Sequence, residues 1–521
     1  MDVELSDLPV TSYVFEYAQR WPDQPALIDG LTGVAISYQE LIGAVRRAAA
    51  GFVAHGMAKG DVMALCSPNR PEFVITYYAA LAAGGVVTTV NPMATAAEVA
   101  GQLRSSGARW MVTTPELFER KVSAAAAAAD TAAAQLREVF VFGACTGAAP
   151  FAALLNDAPP APTTEIGADD LAVLLYSSGT TGLPKAVMLS HRNLVASLCQ
   201  TRLVQLVRPG DVVIAALPLF HIYGMQVTLN LALHEGATIV TMPRFGLETF
   251  LRLVQQYRAT RIDVVPPIVL ALAKQSVVDD YDLSSLRVIT SSAAPLGGEL
   301  ARSCAARLGC RVKQGYGMTE LGGATHCAPD TGRDDPESIG PALPGVQCRV
   351  VESVTGADVG PGEHGELLIR TPAAMRGYLN NPAATADTVE PDGWVHTGDI
   401  VVQDADGWFR VVDRRKELIK YNAYQVAPAE LEAVLLSHPA VADAAVIASP
   451  DERSGEVPKA FVVLSSPASA EELLDFVAQR VSPYKRIRIV EFIDEIPKSA
   501  SGKILRRLLV ERDRALIASG R

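Results

Sequence analysis

Residues 171–191 read LAVLLYSSGTTGLPKAVMLSH: an apolar run, a loop of hydroxyls and glycines, one lysine, and a second apolar run. Ser177, Ser178, Thr180 and Thr181 are hydroxyl donors. Gly179 and Gly182 let the backbone turn its N–H groups toward an anion with no Cβ in the way. Lys185 adds a mobile positive charge, so the loop is built to hold a polyphosphate. It is not a Walker A loop, which reads GxxxxGK[ST] and runs straight into a helix. Here the spacing is Gly179-x-x-Gly182-x-x-Lys185, Pro184 precedes the lysine, and neither Ser nor Thr follows it. AVMLSH alternates like a strand, and a helical pattern (Leu194, Leu198, Leu203) begins only after Ser190.

Outward from this stretch, strand-like runs alternate with amphipathic ones through the first part of the chain. They are VMALCS, VVTTVNP, WMVTT, VFVFG, VVIAALP, TIVTMP, RIDVVPP and RVITSSAAP. That alternation predicts α/β layering. The apolar window Val74–Val90 is broken by Gly84-Gly85 and reads as a helix followed by a buried strand, not a membrane span. The alanine-rich segment 124–134 reads as a surface helix.

From Ile339 to Trp408 the texture changes to short strands with Gly, Pro and Asp turns, a β-rich subdomain. A second change follows Asp413, and DRRKE at 413–417 reads as a linker. PAELEAVLLSHP is a helix opened by Pro428 and ended by Pro439, with Glu430 and Glu432 in its first turns. Ser469 with Glu472 makes a capping-box pattern. The last hundred or so residues are thus expected to form a separate small α+β domain.

A chain of 521 residues is too long for one core, and its net charge of −11 argues against non-specific nucleic-acid binding, which needs a basic face. Seven cysteines, scattered and without a CxxC pair, fit buried thiols in a reducing compartment better than disulfides or a zinc site. MDVELSDLPV is acidic, unlike a secretory signal. The expectation is a soluble cytoplasmic protein. The oligomeric state stays open, a homodimer included.

Four further motifs follow in order: QGYGMTE (314–320), GWVHTGD (393–399), DRRKELIK (413–420) and PKSASGK (497–503). Tyr316, between Gly315 and Gly317, can lay an aromatic face on a base, with glycines allowing close approach. Glu320, next to Thr319, is a hard carboxylate suited to Mg²⁺, which keeps most of its water and binds through few protein carboxylates. Asp399 is an acceptor-only group suited to two ribose hydroxyls, and Arg414 can donate to the same sugar.

Together these motifs resemble the adenylate-forming superfamily of acyl-CoA synthetases, luciferases and peptide-synthetase adenylation domains, over nearly the whole chain. SSGTTGLPK, LFHIYG, YGMTE, ELIKY and QVAPAELE give it the texture of the 4-coumarate–CoA ligases. The resemblance implies an N-terminal adenylate-forming domain at 1–413, a hinge at 414–416 and a mobile C-terminal domain at 417–521. It implies ATP-dependent formation of an acyl-adenylate, then a CoA thioester, with ATP, a carboxylic acid and CoA as substrates and Mg²⁺ as cofactor.

By the same resemblance, the residues of the phosphate loop join Ala294, Gly315, Gly317, Thr319 and Asp399 around ATP or AMP. Tyr316 stacks on adenine. Thr319 and Glu320 serve catalysis, Glu320 as the metal ligand. Lys503, read as opening the basic helix KILRR, bridges carboxylate and α-phosphate during adenylation. Lys416 is the hinge residue, and Gln425 contacts the AMP phosphate in one conformation. For the CoA step Lys420 closes over the site, with Asn422 and Ala423 beside the pantetheine arm. His221, Tyr223, Met225, Thr290, Ser292, Gly323 and Thr325 fall where the acyl pocket is expected.

The chain departs from coumarate ligases at Ala186 (usually Gly), Asn422-Ala423 (Lys-Gly), Thr290 (Lys), Ser292 (Gly), and Gly323 and Thr325 (proline and a larger apolar residue). Smaller residues at 323 and 325, with no lysine at 290, predict a pocket for a medium-chain fatty acid or an aryl acid rather than hydroxycinnamate. Two rival readings are transfer of the acyl group to a carrier protein (or its oxidation, as in luciferase) and a catalytically silent nucleotide-binding homologue.

Overall fold

Runs of Val, Ile and Leu bounded by Gly and Pro become parallel strands when both faces are covered, because no polar face is needed. The computed structural model describes residues 3–129, 136–155, 164–177, 184–352, 355–421, 424–451, 453–499 and 502–518. Among these, the expected runs build two eight-stranded sheets. One sheet runs in the order Gly323–Cys327, Arg311–Met318, Val288–Ser291, Arg261–Val264, Val212–Ala215, Thr238–Thr241, Pro25–Asp29, Ala35–Ser37. Its Ile262, Ile289 and Val312 lie in register and pack into one core with Val254 and Leu272. The opposite face carries Asp263, Thr290 and Lys313 side by side, and Lys313 and Arg261 both pair with Asp330.

In the second sheet, Leu171–Ser177 and Lys185–Ser190 form an antiparallel pair with Ser177 opposite Lys185. The ladder therefore holds both ends of the phosphate loop; Ser178, Gly179, Thr180, Thr181, Gly182 and Leu183 lie outside the described residues. Helix His191–Thr201 follows at once, opened by a reciprocal capping box between Ser190 and Asn193. The apolar window divides as expected into helix Pro71–Ala82 and the buried strand Val86–Thr89. The alanine-rich segment is helical at Ser123–Ala129, and the rest of it lies outside the described residues.

The β-rich subdomain is a five-stranded sheet whose neighbours His364–Arg370, Val395–Gln403 and Trp408–Arg414 are antiparallel. The small domain follows, a second five-stranded sheet packed against helices Pro428–Ser437 and Ala470–Ala478. Its core joins Ile419, Leu431, Leu435, Val446, Val462 and Leu473. Ser469 and Glu472 form the expected capping box.

One local expectation is corrected. Lys503 does not open a helix: Lys498 and Ile504 bridge across a tight turn, Ser499 N–H donates to the Lys503 carbonyl at 2.8 Å, and the helix starts at Arg506. The two domains touch where Lys274 Nζ donates to the Leu436 carbonyl at 2.6 Å. The seven cysteines are free. Among the described residues, no helix is long and apolar enough to cross a membrane.

Candidate active site

The strand Arg311–Met318 leaves the parallel sheet and pairs antiparallel with Gly323–Cys327, its register shifting between Tyr316 and Gly317. An added Cβ on Gly317 would lie 2.0 Å from the Gly323 carbonyl oxygen, so this glycine is required by the strand crossing rather than by approach to a base. The Tyr316 hydroxyl donates to Asp399 Oδ2 at 2.5 Å. Arg414 pairs with Asp399 in the ladder and brings Nε within 3.5 Å of Oδ1. Burial pushes the Asp399 carboxyl above the ordinary range, while Arg414 and Tyr316 oppose the shift. The three motifs QGYGMTE, GWVHTGD and DRRKELIK thus meet in one corner.

Glu320 sits in the 3₁₀ turn Thr319–Leu321 that follows. Its Oε1 accepts from the Tyr378 hydroxyl at 2.9 Å, and Lys185 Nζ lies 4.9 Å from the Tyr378 ring centre. The hydroxyl of Ser177, at the mouth of the phosphate loop, is buried and has no hydrogen-bond partner among the described residues. A buried donor left unmade is costly, and a phosphate oxygen would satisfy it. Among the described residues no three His, Cys, Asp or Glu side chains cluster as a ligand set. A single carboxylate suits Mg²⁺, whose remaining positions go to phosphate oxygens and water.

Lys503 reaches this corner from the small domain. Burial, with the Arg414 charge beside it, holds its ammonium below the usual lysine range, and Asp399, Glu320 and Glu417 oppose that shift. His221 is pushed down to about 4 by burial and by the Lys503 charge, so its ring is neutral at physiological pH. One lysine from one domain therefore lies within electrostatic reach of Asp399, Glu320, Arg414 and His221 of the other, and Gly502 beside it packs against Val265.

Lys420 and Gln425 are elsewhere. They face each other across a short hairpin and are both exposed, and Lys420 N–H donates to Glu456. Asn422 and Ala423 lie outside the described residues. Lys416 is exposed in the turn between Trp408–Arg414 and Ile419–Tyr421.

The acyl-pocket expectation is partly corrected. The Tyr223 hydroxyl donates to the Thr290 carbonyl at 3.0 Å, placing these two side by side. Gly323 does not widen the pocket: its φ is +127°, and an added Cβ would meet Ser197 Oγ at 3.1 Å and Gln226 Cγ at 3.3 Å. Thr325 is fully buried, its hydroxyl 3.1 Å from His326 Nδ1 and its carbonyl bonded to Leu343 N–H. Met225 is fully buried within the main core. Ser292 donates to the Gly315 carbonyl at 2.6 Å and ties its loop to the strand Arg311–Met318. Half-buried Ala294 follows Ala293, whose φ of +73° lies in the left-handed region that favours glycine, a strained turn of the kind found at ligand clamps.

Tyr378 was not foreseen. It stands in RGYLN, outside the five motifs, and only the pairing of Gly377–Tyr378 with Lys185–Ser190 brings it to Glu320. Asp413, Glu432 and Arg506 were also read as linker and helix residues, yet they form a buried ion cluster.

Residues 14–379 match the AMP-binding enzyme family, and residues 430–503 match the AMP-binding enzyme C-terminal domain. The chain belongs to this family, within the adenylate-forming superfamily whose motifs it carries. It is 41% identical to a 4-coumarate–CoA ligase of Pinus taeda over 98% of this chain and 96% of that one. Among solved structures, an anthranilate CoA ligase, AuaEII, in complex with anthranoyl-AMP superposes with a TM-score of 0.92 at 25% identity, covering 98% of each chain. ATP-bound MatB from Rhodopseudomonas palustris gives 0.87 at 29% identity, over 97% of this chain and 99% of that one.

Proposed function

We propose that this enzyme is an ATP-dependent acid–thiol ligase that joins an aryl or medium-chain carboxylic acid to CoA through an acyl-adenylate. The observation that carries the reading is the corner where Tyr316 donates to Asp399 and Arg414 pairs with it, faced by the small domain's Lys503, whose neighbour Gly502 packs against Val265 of the large one. Names of relatives that are CoA ligases support it.

In the first half-reaction a carboxylate oxygen attacks the α-phosphorus of ATP, and the bond to pyrophosphate breaks. Negative charge gathers on oxygens around one phosphorus, so catalysis is positioning plus placed cations. Tyr316 and Asp399 hold the nucleoside, Ser177 and Lys185 receive the phosphates, and Lys503 stands where the two anions meet. The neutral His221 ring borders the acid without adding a charge that would repel Lys503. A magnesium ion held by Glu320 would neutralise the departing pyrophosphate.

In the second half-reaction the CoA sulfur attacks the acyl carbonyl and AMP leaves. For this the small domain turns about Lys416, withdraws Lys503 and presents the Lys420 hairpin with Asn422 and Ala423. Gln425, on the same hairpin, approaches the AMP phosphate in that pose. Thr290 puts no cation at the pocket floor, which favours acids without a phenol. Seven free thiols fit a cytoplasmic setting.

The test is ATP–pyrophosphate exchange, and AMP release with and without CoA, over acetate, hexanoate, decanoate, benzoate, cinnamate and coumarate. Exchange with CoA-stimulated AMP release is expected. Exchange without CoA stimulation would indicate a carrier-protein acceptor, and no exchange would indicate a silent homologue.

A further inference from the structure

Asp413 is the last residue but one of the strand Trp408–Arg414, yet it is bonded to the small domain. Its Oδ1 accepts from Arg414 N–H at 2.7 Å and its Oδ2 from Ala429 N–H at 3.0 Å. Ala429 lies in the first turn of helix Pro428–Ser437, beyond the hinge. A carboxylate there satisfies a helix donor that has no partner within the helix, and it complements the helix dipole.

The same buried cluster holds the strap that carries Lys503. Arg506, three residues after that lysine, clasps Glu432 through Nη2 at 2.7 and 2.8 Å. It also reaches Glu417 through Nη1 at 3.0 Å and the Val446 carbonyl through Nε at 3.2 Å. Its charge offsets that of Asp413. Hinge exit, first helix and Lys503 strap are therefore fastened to one another, and Asp413 fastens the set to the large domain.

We propose that Asp413 is a positioning residue for adenylation: by capping the Pro428–Ser437 helix it holds the small domain in the pose that inserts Lys503. The cap releases when that domain turns for thioester formation, so the inference rests on the two-conformation reading above. Asp413 touches no substrate. Its effect runs through Lys503 and is confined to the first half-reaction.

The informative variants are Asp413→Asn, which leaves an amide facing one of two N–H donors, and Ala429→Pro, which removes only the donor. Proline fits a helix's first turn, and this chain already opens Pro266–Lys274 with Pro266-Pro267. The full chain is assayed with cinnamate for exchange and with supplied cinnamoyl-adenylate for thioester formation. Each variant should lower the ratio of exchange to thioester rate about tenfold, the scale of one hydrogen bond to a charged group. KM for ATP should stay unchanged. Equal loss in both half-reactions, or an unchanged ratio, overturns the proposal. Lys503→Ala runs in parallel: if it too leaves the ratio unchanged, the two-conformation reading itself falls. If it shifts the ratio and the other variants do not, only the role of Asp413 falls.

Discussion

Tyr316 donates its phenolic proton to Asp399 across 2.5 Å, joining the aromatic platform and the acceptor carboxylate into one unit. Tyr316→Phe keeps the ring but leaves one oxygen of a buried carboxylate without a donor, a cost of roughly 1–3 kcal/mol. The expected result is a KM for ATP raised about tenfold with a smaller change in kcat. Exchange kinetics over a range of ATP concentrations check this; an unchanged KM would show that the hydroxyl does not help hold the nucleoside.

Lys503→Ala should reduce pyrophosphate exchange on the order of 10²–10³-fold, the usual loss for one charge-stabilising donor. It should spare thioester formation from a supplied acyl-adenylate. Lys420→Ala, altering an exposed hairpin, should do the reverse. Rapid-quench measurement of the two half-reactions decides, and parallel losses in both variants would sink the assignment.

Gly323→Ala should lower stability by about 1–3 kcal/mol, because it combines a positive φ with overpacking. The new methyl meets Ser197 and Gln226, so the acid preference should stay as it is. Melting curves together with kcat/KM for hexanoate and decanoate check both halves. A shift toward the shorter acid would restore Gly323 to the pocket wall.

His191 is neutral in the fold. Its Nδ1 accepts from Val10 N–H at 3.1 Å, and burial pushes its pKa down to about 4. Because the folded value lies below the unfolded one, the unfolded chain binds the proton first. Stability is full above about pH 6.5, falls with falling pH, and the loss levels off below about pH 4. The shift corresponds to roughly 3 kcal/mol at its limit. His191→Asn keeps an acceptor and removes the titration, so its melting temperature should fall less than wild type between about pH 7 and 4.5. Parallel pH profiles would refute this.

What the sequence made legible was local. The apolar runs on either side of the phosphate loop, the helix start after Ser190, the capping box at Ser469 and the division of the apolar window at Gly84-Gly85 follow from short-range pattern and turn chemistry, and the structure has them where expected. The ordered motifs also identified Tyr316, Glu320, Asp399, Arg414 and Lys503 as partners, and they do converge. The misses share one cause. Whether Gly323 opens a cavity or admits a neighbouring helix depends on what lies across it, which is Ser197 and Gln226, more than ninety residues away in sequence. Glu432 looked like an ordinary charge in a helix's first turn. Only the fold sets Arg506 against it, and burial among Asp413 and Glu417 then pushes its carboxyl up to about 7.

The bond from Tyr378 to Glu320 reaches between the two large sheets, since Tyr378 rides the edge strand of one and Glu320 follows a strand of the other. Lys185, beside the same ring, belongs to the strand next to that edge. Glu320, Tyr378 and Lys185 therefore form a stator: they cannot separate unless two eight-stranded sheets slide apart. In the two-step mechanism proposed above, turnover-linked motion is left to the lighter partner. A ligand at the nucleotide corner should stiffen the large domain little, while its loss should be felt first as loosening of Lys503 and the strap that carries it.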